Sequence, residues 1–297
     1  MSKFFDKHFD KINILLVSLI TLIILYPLIF VASASISDPV AVNTGKMWLW
    51  PVDITFEGFK RVFSNQDLWR GYRNTIFYTV TSTLLHLAVL LPGAYALSRK
   101  EIMGKRFLNA FILFTMLVSG GMIPTYLLIN NLGMLNTIWA VIIPGLVGAW
   151  NIFVTRTFFA QSIPDQLIES ATIDGATEFQ IFVKIVLPLS LPIIAVMALF
   201  KAVGMWNEYF GALIYLRNSD LFPLQLILRE ILVLNQFSAE AMQTSGQDAA
   251  MSMVEMVNNA ELVKYAAMIV SSVPLLIAYP FVQKYFVTGT LIGSVKE

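Results

Sequence analysis

The sequence predicts an all-α membrane protein with six transmembrane helices. Three observations carry that prediction: an apolar composition, six apolar stretches long enough to cross a bilayer, and a charge asymmetry between the loops joining them. Of 297 residues, 57% are hydrophobic and 13% are charged, and the mean hydropathy is +0.71. Soluble domains carry about 45–50% apolar and about 25% charged residues. A water-soluble fold would expose the excess as association-prone patches, so lipid is the simpler solvent. The net charge of +1 offers no basic stripe for phosphates and argues against a nucleic-acid partner. The absence of cysteine removes disulfide staples, thiolate metal sites and thiol nucleophiles.

Crossing the hydrocarbon core takes about 20 apolar residues in a helix. Six stretches qualify, at about 12–33, 74–97, 107–129, 137–159, 188–213 and 265–286. The first has signal-peptide features, with Lys3, Lys7 and Lys11 before it and Ala32, Ser33 and Ala34 at its end. It is longer than the apolar region of about 7–15 residues in a signal peptide, so it reads as a retained anchor. Prolines at 92, 124, 144, 192, 274 and 280 lie in or beside spans. Each removes a backbone donor and favours a kink, as packing geometry or as hinges.

Short loops set the orientation. Arg99, Lys100, Lys105 and Arg106 follow the second span, whereas 130–136 carries no charge. The first loop is therefore expected in the cytoplasm and the second outside, with both termini cytoplasmic. Segments 34–73 and 217–264 are expected outside, and 162–187 inside.

The stretch 162–187 predicts two short helices. Pro164 suits a first turn, Asp165 favours the positive helix end, and Gly175 is a left-handed stop. Thr177 and Gln180 have capping-box spacing. Phe179, Phe182, Val183 and Val186 then form one apolar stripe. On these grounds alone, the hairpin either lies on the membrane surface or docks into a partner's groove.

The run Glu169, Ser170, Ala171, then Asp174, Gly175, Ala176, then Ile185, Leu187, Pro188 and Pro192 resembles the conserved loop of binding-protein-dependent ABC importer permeases. That family has Ala where this sequence has Ser170. Trp206, Asn207, Glu208 and Tyr209 resemble a segment of maltose-type carbohydrate permeases. Residues 55–63 and 120–126 are similar to a subgroup handling oligosaccharides or polysaccharide fragments. The resemblance covers essentially the whole chain. It implies a type I ABC importer permease fold with a cytoplasmic coupling-helix loop at 162–187. It also implies a second permease, two ATPase subunits, an external solute-binding protein and a carbohydrate substrate. ATP and Mg would be bound by the ATPases, with no cofactor on this chain. In family terms Glu169, Ser170, Ala171, Asp174, Gly175 and Ala176 form the ATPase-coupling loop. A tail including Gly293, Ser294 and Val295 resembles one that contacts the ATPases.

The sequence contains no Gly-rich Lys-Ser/Thr phosphate loop of its own. Charged residues within membranes usually face the bundle interior. Lys201 and Glu208 lie seven residues apart, two helical turns along one face. With Trp206, Asn207 and Tyr209 they form a candidate sugar path, against a structural role toward a partner permease. The fifth span is expected to carry Lys201 roughly 20 Å above Pro188. His86 stands alone in the second span and reads as packing or a helix–helix bond rather than a metal ligand. The segment 217–264 reads largely as helix, over 225–237 and 239–259, as a docking element or a lid. No paired carboxylates or Ser/His/Asp set points to an enzyme. The alternative class is a secondary transporter, which would leave the hairpin unexplained.

Overall fold

A computed structural model describes residues 2–242, 262–280 and 283. The described residues are helical without strands. They divide between two compact units, Met1–Trp69 with Ile227–Val273, and Arg70–Leu226 with Pro274–Glu297.

The first unit opens with α1 (Ser2–Ala34), followed by α2 (Pro39–Asn43) and α3 (Glu57–Ser64). Residues 9–29 are all exposed, as expected of a helix solvated by lipid, and only its end, at Ser33 and Ala34, is buried within the chain. The connection after α1 is ordered by hydroxyls. Ser33 Oγ donates to Leu49 O at 2.7 Å, and Ser37 Oγ accepts from Val52 N at 3.2 Å. Gly58 meets the last described helix, α15 (Leu262–Pro280), so closely that a Cβ there would lie 2.5 Å from Leu262 O. Phe30 adds an edge-on contact with Tyr265, centroids 6.1 Å apart. Also in this unit lies most of α14 (Leu224–Met242).

The second unit is built on α4 (Gln66–Ser98), which begins eight residues before the expected span and holds Pro92 inside it. After it come α5 (Lys105–Leu117), α6 (Met122–Asn131), α7 (Trp139–Ile142) and α8 (Ala149–Ser162). The hairpin helices are α9 (Asp165–Ile173) and α10 (Glu178–Ile181). A π turn over Phe182–Val186 leads into α11 (Leu187–Leu189), α12 (Leu191–Trp206) and α13 (Phe210–Tyr215).

Three expected spans are broken. The stretch 107–129 becomes α5 and α6, bent by 112° around Gly121, whose φ is +87°. The stretch 137–159 becomes α7 and α8, separated by a loop in which Pro144 lacks a donor and Gly145 takes φ +66°. The stretch 188–213 bends by 79° at Ser190 and ends as a helix at Trp206 before resuming at Phe210. The bend removes the straight rise expected between Pro188 and Lys201. By length and composition, Phe9–Ala34, Gln66–Ser98 and Leu262–Pro280 can each cross a membrane, and two bent pairs can do so if each is one span.

Two of this unit's apolar clusters position the sites. One packs Leu90, Ala94, Tyr95, Phe159, Ile168, Ile181, Val186 and Met197, tying the hairpin to α4, α8 and α12. The other packs Tyr78, Ile142, Met205, Ala212 and Leu226. At the start of α4, Asn74 Nδ2 donates to Asp220 O and Tyr78 Oη donates to Leu221 O, at 2.7 and 2.8 Å. These bonds fix the turn at 219–221, where the segment 217–264 begins. Of that segment's expected helices, 225–237 falls within α14, and most of 239–259 lies outside the described residues.

Candidate functional sites: a moored hairpin and a cleft at a broken span

The hairpin is stopped and restarted by its own sequence. Gly175 has φ +80°, Ala176 N donates to Ala171 O at 2.9 Å and Gly175 N to Thr172 O at 3.0 Å. This is the Schellman pattern, which satisfies carbonyls orphaned at a helix end. Thr177 and Gln180 form the expected capping box. Pro164 sits one position before α9, at its N-cap. Ser170 spends its hydroxyl on Gln166 O at 2.9 Å, so it behaves as a small residue in the helix. Glu169, Ser170, Asp174 and Gly175 are exposed, while Ala171 and Ala176 are half-buried.

Only half of the expected apolar stripe of α10 turns inward. Phe179 is 74% exposed and Val183 is also exposed, whereas Phe182 is half-buried and Val186 is fully buried, joined by Ile181 from outside the stripe. The π turn explains this: its hydrogen bonds span five residues, and Ile181 and Val186 are five apart.

Both hairpin helices are moored to the end of α4 and to the two residues that follow it. Lys100 Nζ meets Asp165 Oδ2 at 2.6 Å at the start of α9. That contact raises the Lys100 ammonium above its ordinary value and lowers the Asp165 carboxyl below its own. Tyr95 Oη donates to Glu178 Oε2 at 2.9 Å at the start of α10. Arg99 Nη2 lies 3.9 Å from Glu178 Oε1. Tyr95 lies tilted beside Phe182, centroids 5.2 Å apart, and edge-on to Phe159. The mooring residues of α4 were not legible from the hairpin's sequence, since they lie more than 60 residues away.

The second site is the loop joining α7 to α8. Breaking that span frees carbonyls that membrane surroundings leave costly. Lys201 Nζ donates to Gly145 O at 3.0 Å, and His86 Nδ1 lies 2.6 Å from Leu146 O. His86 is thus a polar bond between α4 and this loop, in keeping with the expected packing role. Beside the loop is a cleft of about 440 Å3, lined by Trp150, Asn151, Phe200, Lys201, Gly204 and Glu208 among others. Trp150 and Phe200 sit with centroids 6.0 Å apart.

The cleft gathers only part of the expected path. Lys201 and Glu208 line it together, as their spacing predicts. Glu208 Oε1 accepts from Gly211 N at 2.6 Å, which holds the start of α13. Trp206 is buried and packs edge-on against Tyr72, centroids 5.7 Å apart. Asn207 turns back to donate to Val203 O at 2.9 Å, as its helix ends there. Tyr209 is exposed beside Phe210. Neither Trp206, Asn207 nor Tyr209 is among the residues lining the cleft. Trp150, Asn151 and Phe200 were missed. The first two come from α8, and Phe200 carried no signal that set it apart from other apolar residues in its span. The tail residues Gly293, Ser294 and Val295 lie outside the described residues.

The family model for the binding-protein-dependent transport system inner membrane component matches residues 1–291. The chain is 38% identical over 290 residues to the protein LplC of Bacillus subtilis (strain 168), covering 98% of this chain and 95% of that one. It is also 38% identical over 295 residues to the polygalacturonan/rhamnogalacturonan transport system permease protein YtcP of the same organism, covering 98% and 99%. Among solved structures it is similar to a bacterial ABC transporter involved in the import of the acidic polysaccharide alginate. That match has a TM-score of 0.83 and 37% identity, over 95% of this chain and 97% of that one. A family match of this extent sets aside the secondary-transporter alternative, and the chain belongs to the binding-protein-dependent transport system inner membrane components, the permease subunits of ABC importers.

Proposed function

We propose that this chain is one of two permease subunits of an ATP-driven importer of carbohydrate oligosaccharides, and that partner ATPases drive it through the hairpin 162–187. The observation that carries this reading is the mooring of that hairpin. A chain without its own phosphate loop receives work only through contacts, and a lever must be rigid toward the bundle and open toward its driver. Lys100–Asp165 and Tyr95–Glu178 supply the rigidity. The exposed Glu169, Ser170, Asp174 and Gly175 supply the open face, flanked by Ile173 and Phe179, 86% and 74% exposed. Exposed apolar side chains at a helical turn suit a partner's groove. Work delivered there biases a two-state bundle, provided the ATPases contact the two states differently.

The carbohydrate substrate rests on the relatives named for polygalacturonan and alginate. In this reading the chain crosses the bilayer six times, counting each broken pair as one crossing, with both termini cytoplasmic. The basic loop after α4 supports that orientation. A second permease completes the passage, two ATPases hold ATP and Mg, and an external solute-binding protein delivers the sugar. This chain holds no cofactor. Residues 217–264 dock the binding protein, and the tail with Gly293, Ser294 and Val295 reaches the ATPases.

The test is to purify the tagged chain from its native membrane and reconstitute what accompanies it. A second permease, an ATPase and a solute-binding protein should co-purify, and proteoliposomes should take up oligosaccharide only with ATP inside. A chain that purifies alone and moves sugar on an ion gradient would overturn the reading.

A further inference from the structure

We propose that the seam between α5 and α8 binds the headgroup of an anionic phospholipid of the cytoplasmic leaflet. The proposal goes beyond the importer reading and shares with it only the cytoplasmic placement of the loop after α4. That loop and the helices beside it are rich in cations, and most of these are already committed. Arg99 meets Glu101 at 3.6 Å and Glu178 at 3.9 Å, and Lys100 meets Asp165 at 2.6 Å. Lys105 Nζ donates to Arg99 O at 2.6 Å and to Ser98 O at 3.1 Å, which closes the end of α4. Glu101, the carboxylate that acts on Lys105, is the one paired with Arg99. Arg106 and Arg156 are left over, since neither makes an ion pair or hydrogen bond among the described residues. Neither α5 nor α8 contains an Asp or Glu to serve them.

The two helices pack against each other. Asn109 stands four residues into α5, about 6 Å from its start, and Arg156 stands six residues before the end of α8, about 9 Å from it. Arg156 repels the Lys105 ammonium, which puts these groups at one level of the seam. The Arg156 side chain is half-buried, its Nε is buried without an acceptor, and Asn109 Oδ1 is buried without a donor. Buried polar atoms are as a rule paired, and charge within a membrane is expensive, so the seam calls for a partner from outside the chain. A guanidinium grips a phosphate through two parallel N–H bonds. A glycerol headgroup adds hydroxyl donors of the kind an amide oxygen accepts from. Arg106, exposed one residue into α5, adds a second charge. Phe107 and Phe111 of the same helix, 73% and 58% exposed with centroids 6.3 Å apart, offer an apolar surface to acyl chains. Inorganic phosphate shares the anion but has no use for that surface. Basic pockets between membrane helices on the cytoplasmic side suit lipid headgroups for these reasons.

The test purifies the complete complex with its partners, removes lipid with detergent, and titrates it with phosphatidylglycerol or phosphatidylcholine. Native mass spectrometry counts the lipids retained. The wild type should retain phosphatidylglycerol in preference, and a wash with inorganic phosphate should leave it bound. Arg156→Gln keeps a polar tip and loses the charge. It should weaken the binding of one phosphatidylglycerol per copy of this chain by about five-fold, with phosphatidylcholine and the co-purifying partners unchanged. Arg156→Lys should keep most of the binding, and Arg106→Gln should lower it by a smaller factor. Equal retention of the two lipids by the wild type would overturn the proposal, as would unweakened phosphatidylglycerol binding by an assembled Arg156→Gln complex. Displacement of the lipid by inorganic phosphate would assign the site to a free anion and overturn it too. If Arg156→Gln loses its partner permease, Arg106→Gln decides. Weakened phosphatidylglycerol binding there would uphold the proposal, and unchanged binding would give Arg156 to the partner chain and overturn it.

Discussion

Removing one oxygen from Tyr95 isolates the mooring of the hairpin. In Tyr95→Phe the ring stays, so its contacts with Phe182 and Phe159 persist. Only the 2.9 Å bond to Glu178 Oε2 is lost. A hydrogen bond to a charged partner contributes about 1.5–3 kcal/mol. Tyr95 is buried, but the Glu178 side chain is 67% exposed, and solvent screens such a pair. The expected loss is therefore about 1 kcal/mol, or roughly a five-fold shift in the equilibrium between moored and released hairpin. Amide hydrogen exchange reads this directly, since local opening sets the exchange rate. Amides of Ile168–Ile173 should exchange about five-fold faster, while those in the middle of α4 stay unchanged. Glu178→Gln should accelerate the same amides, and the double variant should add little to either single one, as for two partners of one bond. Binding-protein-stimulated ATPase activity should fall with basal activity preserved. Unchanged exchange in Tyr95→Phe, or fully additive effects in the double variant, would refute the mooring.

Gly175→Val should abolish stimulated ATPase activity while leaving membrane insertion intact. Gly175→Asn should retain much of the activity, because the φ of +80° is the constraint and no atom lies within 4 Å of an added Cβ. Reversing Lys100 to Glu should loosen α9 in the same exchange assay, and the swap Lys100→Asp with Asp165→Lys should restore it. The lowered Asp165 carboxyl contributes stability above its unfolded value near 3.8, lost as pH falls through the folded value. The raised Lys100 ammonium contributes below 10.5, lost as pH rises through its folded value. The protection of the α9 amides, with the intrinsic rise of exchange with pH divided out, should therefore be flat from about pH 5 to 9 and sensitive to salt. In the first unit, Gly58→Ala should destabilise by about 1–3 kcal/mol, since its Cβ would press on Leu262 backbone. Gly148→Ala, which meets open space, should leave the thermal midpoint unchanged.

Local chemistry was legible where neighbours in sequence are neighbours in space. Gly175, Thr177 and Gln180 announce their turn and cap within a few residues, and Lys201 and Glu208 share a face by helical period. Helix breaks were half legible: prolines and glycines mark 144–145 and 120–121, but their number does not say which ones break a span. Packing across helices was not legible. Nothing near Trp206 in sequence indicates that Tyr72 will bury it, and nothing near Glu178 points to Tyr95. The π turn at 182–186 also escaped, because a single widened turn leaves no composition signal and yet turns the buried face from Phe179 to Ile181.

The break between α7 and α8 bears on the order in which this protein is made. Neither α7 nor α8 reaches the roughly 20 residues needed to cross lipid alone. The loop between them bares Gly145 O and Leu146 O. His86 precedes that loop by 60 residues and has already been synthesised when the loop emerges. Lys201 follows Gly145 by 56 residues, so its donor emerges several seconds later at about 5–20 residues per second. The bond that satisfies Gly145 O can therefore form only after α12 has been made.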